Sequence, residues 1–197
     1  MDIEVILFDL GGVLVELTGV GTMMAWSRLD EDEIWHRWLT SRTVRQFESG
    51  RSRTEDFARD MVAEFDLETT PEAFIEAFIA WPRGLFDGTI ELLDSLSGRY
   101  HLSCLSNTNH LHWARFERET KLLSSLHSHF ASHQLGMMKP DIEIYTHVIE
   151  QLGVQPARIL FLDDNQMNVD AARSAGMHAE LTRGLTGVTR QLSRLGL

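Results

Sequence analysis

The stretch Val5-Ile6-Leu7-Phe8-Asp9-Leu10-Gly11-Gly12-Val13 decides the fold of this chain, because an apolar run ends in one carboxylate that two glycines follow. The apolar run predicts a buried strand, and the glycines predict a tight turn directly after it. In open α/β sheets, ligands bind in the crevice beyond the carboxyl ends of the strands. Asp9 therefore lies where chemistry usually occurs, although a strand-end Asp that accepts hydrogen bonds from turn amides fits this stretch equally well.

The composition and charge of the chain restrict its class of function. The 197 residues are 43% hydrophobic, and the formal net charge is -11. That charge disfavours nucleic acid and membrane surfaces as partners, since both attract clustered Lys and Arg. Cys104 is the only cysteine, which excludes an internal disulfide. Because no apolar stretch approaches about 18 residues and no secretory signal pattern is present, we expect a cytoplasmic protein. The sequence does not decide between a monomer and a dimer.

Five apolar segments predict the strands of one sheet. They are residues 5–9, 100–106, 129–132, 158–163 and 178–182. Helical patterns separate the later segments, over residues 87–96, 140–152 and 166–175. Strands that alternate with helices form a parallel sheet that is covered on both faces. The sequence therefore predicts the α/β class.

The first crossover is far longer than the others. About 90 residues separate the first two predicted strands, although a usual crossover needs a single helix. Residues 17–84 contain several helical patterns, with Thr54 as the predicted N-cap of one helix and Pro71 as the first residue of another. We interpret this segment as a helical insert that covers the crevice as a lid. The predicted core domain comprises residues 1–16 and 85–197, and the insert comprises residues 17–84.

The helical insert also concentrates two residue types. Four of the five tryptophans lie in it, and they are predicted to fill its core or to form a wall of the substrate site: Trp26, Trp35, Trp38 and Trp81. Five arginines form a local basic cluster: Arg37, Arg42, Arg45, Arg51 and Arg53. This cluster forms either a solvated helix face or a surface that attracts an anionic substrate.

Specific polar side chains follow three further predicted strands. The second strand ends in Ser106-Asn107-Thr108-Asn109, where hydroxyl and amide groups before a helix favour anion binding. Lys139 precedes a helix predicted to begin at Pro140, and its compact charge suits a phosphate. The fourth strand ends in Asp163-Asp164. With Asp9 these residues form an oxygen-only set, which suits Mg²⁺ better than zinc.

With these four motifs in this order, the whole chain resembles the haloacid dehalogenase superfamily. ILFDLGGV matches the nucleophile motif, LSNTN the serine motif, GMMKP the lysine motif and FLDDNQMN the acidic motif. The motifs are most similar to those of the glucose-1-phosphate phosphatase branch, near the phosphatase domain of epoxide hydrolases. The resemblance implies a Rossmann-like core whose parallel sheet, numbered along the core, has the order 5-4-1-2-3. It also implies a helical cap inserted after the first strand.

The resemblance further implies a reaction and a set of site residues. Asp9 is the implied nucleophile, which forms an aspartyl-phosphate from a small phosphorylated metabolite such as a sugar 1-phosphate. Ser106 and Lys139 are the other implied catalytic residues, and together with Asn107 they bind the phosphoryl group. The implied cofactor is Mg²⁺, and its implied ligands are Asp9, the carbonyl group of Gly11, Asp163 and Asp164.

The chain departs from the superfamily pattern at Gly11. Most phosphatases of the superfamily carry a second Asp there, which protonates the leaving group. General acid catalysis typically contributes about 10²–10⁴-fold. We expect either a substrate with a good leaving group, a replacement residue from the helical insert such as Glu48 or His36, or a weak enzyme. Two other functions stay open: a metal-independent 2-haloacid dehalogenase, in which Asp9 attacks carbon, and a non-catalytic phosphate-binding protein.

Overall fold

The computed structural model describes residues 2–197, apart from the side chain at position 20. Its central feature is a parallel sheet of five strands in the order β5-β4-β1-β6-β7. The strands, numbered along the whole chain, are β1 (Val5–Phe8), β2 (Val15–Leu17), β3 (Pro82–Leu85), β4 (His101–Ser106), β5 (Ser128–Ala131), β6 (Ile159–Asp163) and β7 (His178–Leu181). Counted along the core alone, the sheet order is the predicted 5-4-1-2-3, so the prediction of fold class and strand order is confirmed.

Strand β1 is buried on both faces because it lies at the centre of the sheet. Its successive residues point to opposite sides, so that Ile6 and Phe8 join one apolar cluster whereas Val5 and Leu7 join another. The Asp9 N–H donates a hydrogen bond of 2.8 Å to the carbonyl group of Leu162 on β6. The polar residues that follow neighbouring strands therefore meet at one edge of the sheet.

Helices cover this sheet and form the helical insert. Those of the insert are α1 (Gly19–Trp26), α2 (Glu31–Thr40), α3 (Arg42–Glu48), α4 (Thr54–Glu64) and α5 (Pro71–Ile79). The later ones are α6 (Thr89–Ser97), α7 (His110–Glu119), α8 (Ser132–Leu135), α9 (Ile142–Leu152), α10 (Gln166–Ser174) and α11 (Gly184–Leu195). Within residues 2–197, no helix combines the length and the apolar character needed to cross a membrane.

The start of two helices differs from the prediction. Helix α9 begins at Ile142 rather than at Pro140, because the Asn107 side chain hydrogen-bonds both the N–H and the carbonyl group of Lys139 and holds that segment outside the helix. Thr54 is the first residue of α4 and not its N-cap, and its hydroxyl bonds to His110 instead. Local sequence cannot reveal either long-range hydrogen bond.

The helical insert leaves and rejoins the core through an unpredicted pair of short strands. Strands β2 and β3 pair antiparallel, with Val15 opposite Leu85 and Leu17 opposite Pro82. Neither strand is longer than four residues, and β3 contains Pro82 and Gly84, which are unfavourable in strands. The pairing is therefore tertiary in origin and leaves no periodic signal.

The helices of the insert share an apolar cluster of their own. Phe47, Phe57 and Phe78 are buried in it, and Trp81 packs with its ring centroid 4.9 Å from that of Trp38. Trp26 also packs against this cluster, as predicted, but Trp35 is 38% exposed and does not fill the core of the insert. For Trp35, the alternative of a substrate-site wall stays a prediction. The domain boundaries at residues 16/17 and 84/85 stay a prediction.

Candidate active site

Asp9, Lys139 and Asp163 form a buried triad at the carboxyl edge of the sheet. The Lys139 Nζ lies 2.8 Å from Asp9 Oδ1 and 2.6 Å from Asp163 Oδ2. Burial raises the pKa of Asp9 to about 7, although Lys139 acts in the opposite direction. Burial acts to lower the pKa of Lys139, but Asp163 and Asp9 outweigh it and raise that pKa above its usual range. Lys139 therefore stays protonated between the two carboxyl groups.

Asp163 is held in place by several donors besides Lys139. Its Oδ1 accepts a hydrogen bond of 2.8 Å from the Asn165 N–H and one of 3.0 Å from Asn168 Nδ2. Tyr145 in turn donates its hydroxyl proton to the carbonyl group of Asn168 at 3.0 Å. The sequence motifs assigned Asn168 no role. These bonds satisfy both oxygens of Asp163, which fits a residue that orients Lys139.

Asp164 completes an acidic cluster next to the turn that follows β1. Carboxylate oxygens of Asp9, Asp163 and Asp164 lie within 4.8 Å of one another. Burial and the charge of Asp163 raise the pKa of Asp164. Gly12 has φ 72°, and a Cβ at this position would lie 2.4 Å from Asp164 Oδ2. Only glycine fits there, because a side chain would displace the carboxylate.

Gly11 leaves a space that a neighbouring apolar side chain fills. A Cβ at Gly11 would lie 2.9 Å from Leu17 Cδ1. Leu17 is 44% exposed, so its side chain has room to move. The turn after β1 therefore presents no carboxyl group at the position where the superfamily pattern has one.

Ser106 and Asn107 lie beside the triad, at the end of β4. Ser106 is buried at the last position of the strand. The Asn107 side chain donates a 2.9 Å hydrogen bond to the Lys139 carbonyl group and accepts another of 2.9 Å from the Lys139 N–H. Asn107 thus joins the loop after β4 to the loop that carries Lys139. All seven residues predicted for the site lie at this edge of the sheet, in the loops and strand ends where the motifs placed them.

Sequence reasoning missed Ser132, which connects this site to the helical insert. Its hydroxyl oxygen accepts a hydrogen bond of 2.9 Å from the Thr108 N–H. The same hydroxyl lies 2.6 Å from the carbonyl oxygen of Glu48 and 3.0 Å from that of Thr108, to either of which it donates. Ser132 is fully buried. Like Ser106, it is a hydroxyl residue at the end of a strand, and that position was the available signal.

Glu48, at the end of α3, is the carboxyl group of the insert whose pKa depends on charges of the triad. Burial raises its pKa to about 7, the positive charge of Lys139 lowers it, and the negative charge of Asp9 raises it. Within the described residues, the Glu48 side chain forms no hydrogen bond or ion pair. His36, the other suggested replacement, is exposed on α2.

A cavity of about 590 Å³ lies between α3 and the loop that carries Lys139. Arg45 and Arg51 line it from the insert, opposite Met137 and Met138. Each arginine also contacts the core: Arg45 forms an ion pair with Asp141, and Arg51 donates a 2.8 Å hydrogen bond to the carbonyl group of Gly136. The other three arginines of the basic cluster do not line this cavity.

Comparison with known proteins agrees with this geometry. A family model described as a haloacid dehalogenase-like hydrolase matches residues 3–176. D-ribitol-5-phosphate phosphatase of Bacteroides thetaiotaomicron is 27% identical over 183 residues, which cover 88% of this chain and 89% of that protein. A phosphatase of Mycobacterium tuberculosis is 30% identical over an alignment of 216 residues, which covers 100% of this chain and 96% of that protein.

A solved structure shares the same fold. It is a haloacid dehalogenase family enzyme of Bacteroides thetaiotaomicron in complex with magnesium and inorganic phosphate. It superimposes with a TM-score of 0.76 at 23% identity, covering 92% of this chain and 94% of that one. On the match of the family model to most of its length, this chain belongs to the haloacid dehalogenase-like hydrolase family.

Proposed function

We propose that this protein is a Mg²⁺-dependent phosphatase that hydrolyses a small phosphate monoester, a sugar 1-phosphate in particular, through an aspartyl-phosphate on Asp9. The observation that carries the proposal is the buried triad, in which Lys139 lies between Asp9 and Asp163 with Asp164 beside them. Two of the similar proteins are named phosphatases, one of them for D-ribitol 5-phosphate. A phosphatase needs this combination of a nucleophile and fixed charges.

The donor set fits Mg²⁺. Three carboxyl groups around one ammonium group leave an excess of negative charge, and all the available ligand atoms are oxygens. Asp9, Asp164 and the carbonyl group of Gly11 would hold the ion, and Asp163 would support them while it orients Lys139. When bound, the ion neutralises charge on the phosphoryl oxygens. The solved structure with magnesium and phosphate shares only its fold with this chain. The proposal of a metal site therefore rests on the oxygen donors of this chain.

Each side chain of the site has a separate role in the proposed phosphoryl transfer. Asp9 attacks phosphorus in line, so that a bond forms between its carboxylate oxygen and phosphorus while the bond from phosphorus to the leaving oxygen breaks. Lys139, Ser106 and Asn107 bind the phosphoryl oxygens and hold them for this attack. Water then attacks the aspartyl-phosphate, which releases phosphate and restores Asp9.

We also propose that residues 17–84 form a cap over a core of residues 1–16 and 85–197. Support comes from the separate apolar cluster of the insert and from the paired strands β2 and β3 at its two ends. The cavity between α3 and the Lys139 loop lies between the two proposed units. Two arginines and two carboxylates line it, Arg45 and Arg51 with Asp141 and Glu143, so its charges are balanced.

The test is phosphate release from a panel of phosphate monoesters, with Mg²⁺ or with a chelator. We expect Mg²⁺-dependent turnover, a higher rate for a sugar 1-phosphate than for its 6-phosphate isomer, and a loss of at least about 10³-fold in Asp9→Asn. Equal or reversed rates for the two isomers would rule out the substrate preference.

Other results of the same panel would rule out the enzyme itself. Full activity of Asp9→Asn would contradict the nucleophile. Halide release from a 2-haloacid that persists in chelator would identify a dehalogenase instead. Binding of Mg²⁺ and phosphate without any turnover would identify a phosphate-binding protein.

A further inference from the structure

We propose that Glu48 of the helical insert protonates the leaving group and then activates water, the two tasks for which Gly11 provides no side chain. This inference rests on the proposed phosphatase function. It adds a catalytic residue that lies outside the four sequence motifs, about 35 positions from the nearest of them. Three features support it: the place of Glu48 at the end of α3, its carboxyl group without an ion-pair partner within residues 2–197, and the missing side chain at Gly11.

The backbone around Glu48 is fixed against the core. Its carbonyl oxygen lies 2.6 Å from the Ser132 hydroxyl, which also contacts Thr108 in the loop after β4. Gly50, two residues later, has φ 70°, and a Cβ there would lie 2.4 Å from the carbonyl oxygen of His133. The end of α3 is therefore packed closely onto the core next to the loops of the site, and Glu48 has a defined place there.

The Glu48 side chain is half-buried, and its carboxyl group interacts electrostatically with the charges of the site. Its pKa responds to Lys139 and Asp9, which places it within electrostatic range of both. Its carboxylate forms no ion pair within residues 2–197, unlike the carboxylates of Asp9 and Asp163, which both pair with Lys139. Because burial raises its pKa to about 7, both protonation states are accessible near neutral pH. A group that donates and later accepts a proton needs both states.

The turn after β1 cannot supply this function. Gly11 has no side chain, and the apolar Leu17 occupies the adjacent space. A proton donor has to come from another element, and the insert is the element that covers this edge of the sheet. Glu48 is the insert carboxyl group whose pKa responds to the charges of Lys139 and Asp9.

In the proposed cycle, Glu48 donates one proton and takes one back. As the bond between phosphorus and the leaving oxygen breaks, its electron pair stays on that oxygen, which takes the proton of the Glu48 carboxyl group. Glu48, now a carboxylate, takes a proton from the water that attacks the aspartyl-phosphate. The bond between Asp9 and phosphorus then breaks, phosphate leaves, and both residues return to their starting states.

The test is kcat/KM for a series of phosphate monoesters whose leaving groups range from nitrophenol to simple alcohols, measured for wild type, Glu48→Gln and Glu72→Gln. Glu72 is an exposed carboxyl group on α5 and serves as the matched control. Wild type and the control should depend weakly on the leaving group. Glu48→Gln should lose about 10²–10⁴-fold with alkyl phosphates and less than about tenfold with the nitrophenyl ester. It should also sharpen the preference for a sugar 1-phosphate over the 6-phosphate.

A second variant tests whether Glu48→Gln loses activity only because it lacks a carboxyl group. Gly11→Asp in the Glu48→Gln background should recover at least tenfold with alkyl phosphates, since the atoms nearest to a Cβ at position 11 belong to the partly exposed side chain of Leu17. Equal losses of kcat/KM across the ester series in Glu48→Gln would overturn the inference. A steep dependence of the wild-type kcat/KM on the leaving group would overturn it as well, and that measurement requires no variant to fold. A wild type without turnover on any ester would instead overturn the proposed function and this inference with it.

Discussion

At the scale of single residues, the backbone conformation of Gly12 directly affects the position of a site carboxylate. Its φ of 72° favours glycine, and its neighbour is the Asp164 carboxylate. Gly12→Ala therefore has two costs, backbone strain of about 1 kcal/mol and displacement of a proposed metal ligand. We predict a loss of at least about tenfold in turnover together with a raised Mg²⁺ requirement, measured as kcat against Mg²⁺ concentration.

Gly153 provides the matched control for that variant. It has a similar φ of 66°, but a Cβ there would meet nothing within 4 Å. Gly153→Ala should lose a similar amount of unfolding free energy in urea and keep wild-type turnover. Equal turnover of the two variants would show that the contact between Gly12 and Asp164 has no influence on the site.

The residues of the site differ in how well the sequence alone predicts their positions. Asp9, Ser106, Lys139 and Asp163 each end or follow a strand, and parallel strands bring such residues together without further information. Glu48 lacks this constraint, because its place depends on how α3 packs onto the core. Sequence could therefore name it as one candidate but could not place it.

At the scale of secondary-structure elements, His112 links α7 of the core to α5 of the insert. Its Nε2 donates a 2.7 Å hydrogen bond to the carbonyl group of Phe78, and its Nδ1 accepts one of 3.1 Å from Asn109. These two partners assign the neutral tautomer. Burial lowers the pKa of His112 to about 4, so the residue stays neutral in the folded protein at pH 5.

This link predicts a loss of stability in acid. Below its usual pKa of about 6.5, His112 takes up a proton in the unfolded chain but not in the folded one, so the unfolding free energy falls as the pH falls from 6.5 towards 4. The full effect is about 3 kcal/mol. Urea unfolding of wild type and His112→Asn at several pH values measures it, and the variant should show the shallower slope. Parallel slopes would contradict the buried neutral state.

The elements themselves show where local sequence is informative. The five strands of the parallel sheet were predicted within one or two residues, because strands buried on both faces are continuous apolar runs. Strands β2 and β3 were missed, and α9 begins two residues late, because a strand pairing and the Asn107 hydrogen bonds determine them over long distances. Such tertiary effects leave no periodicity in the sequence.

At the scale of the whole molecule, the family match accounts for the fold. The proposed chemistry depends on contact between the core and the insert. In the proposed reaction, the triad provides the nucleophile and fixed charges, and the insert adds Glu48. This arrangement needs both units in contact, since neither carries the complete set of groups. Fold alone does not determine substrate, and the residues of the insert are where substrate preference is expected to arise.

The aspartyl-phosphate is the central claim, and chemical trapping tests it most directly. Protein in steady turnover with Mg²⁺ and an active phosphate ester is quenched with borohydride, which reduces an acyl phosphate to an alcohol, and the peptides are analysed by mass spectrometry. We predict homoserine at position 9, dependent on both substrate and Mg²⁺ and absent when Asp9→Asn is treated alike. Turnover without conversion at position 9, or conversion at another carboxyl group, would contradict the account.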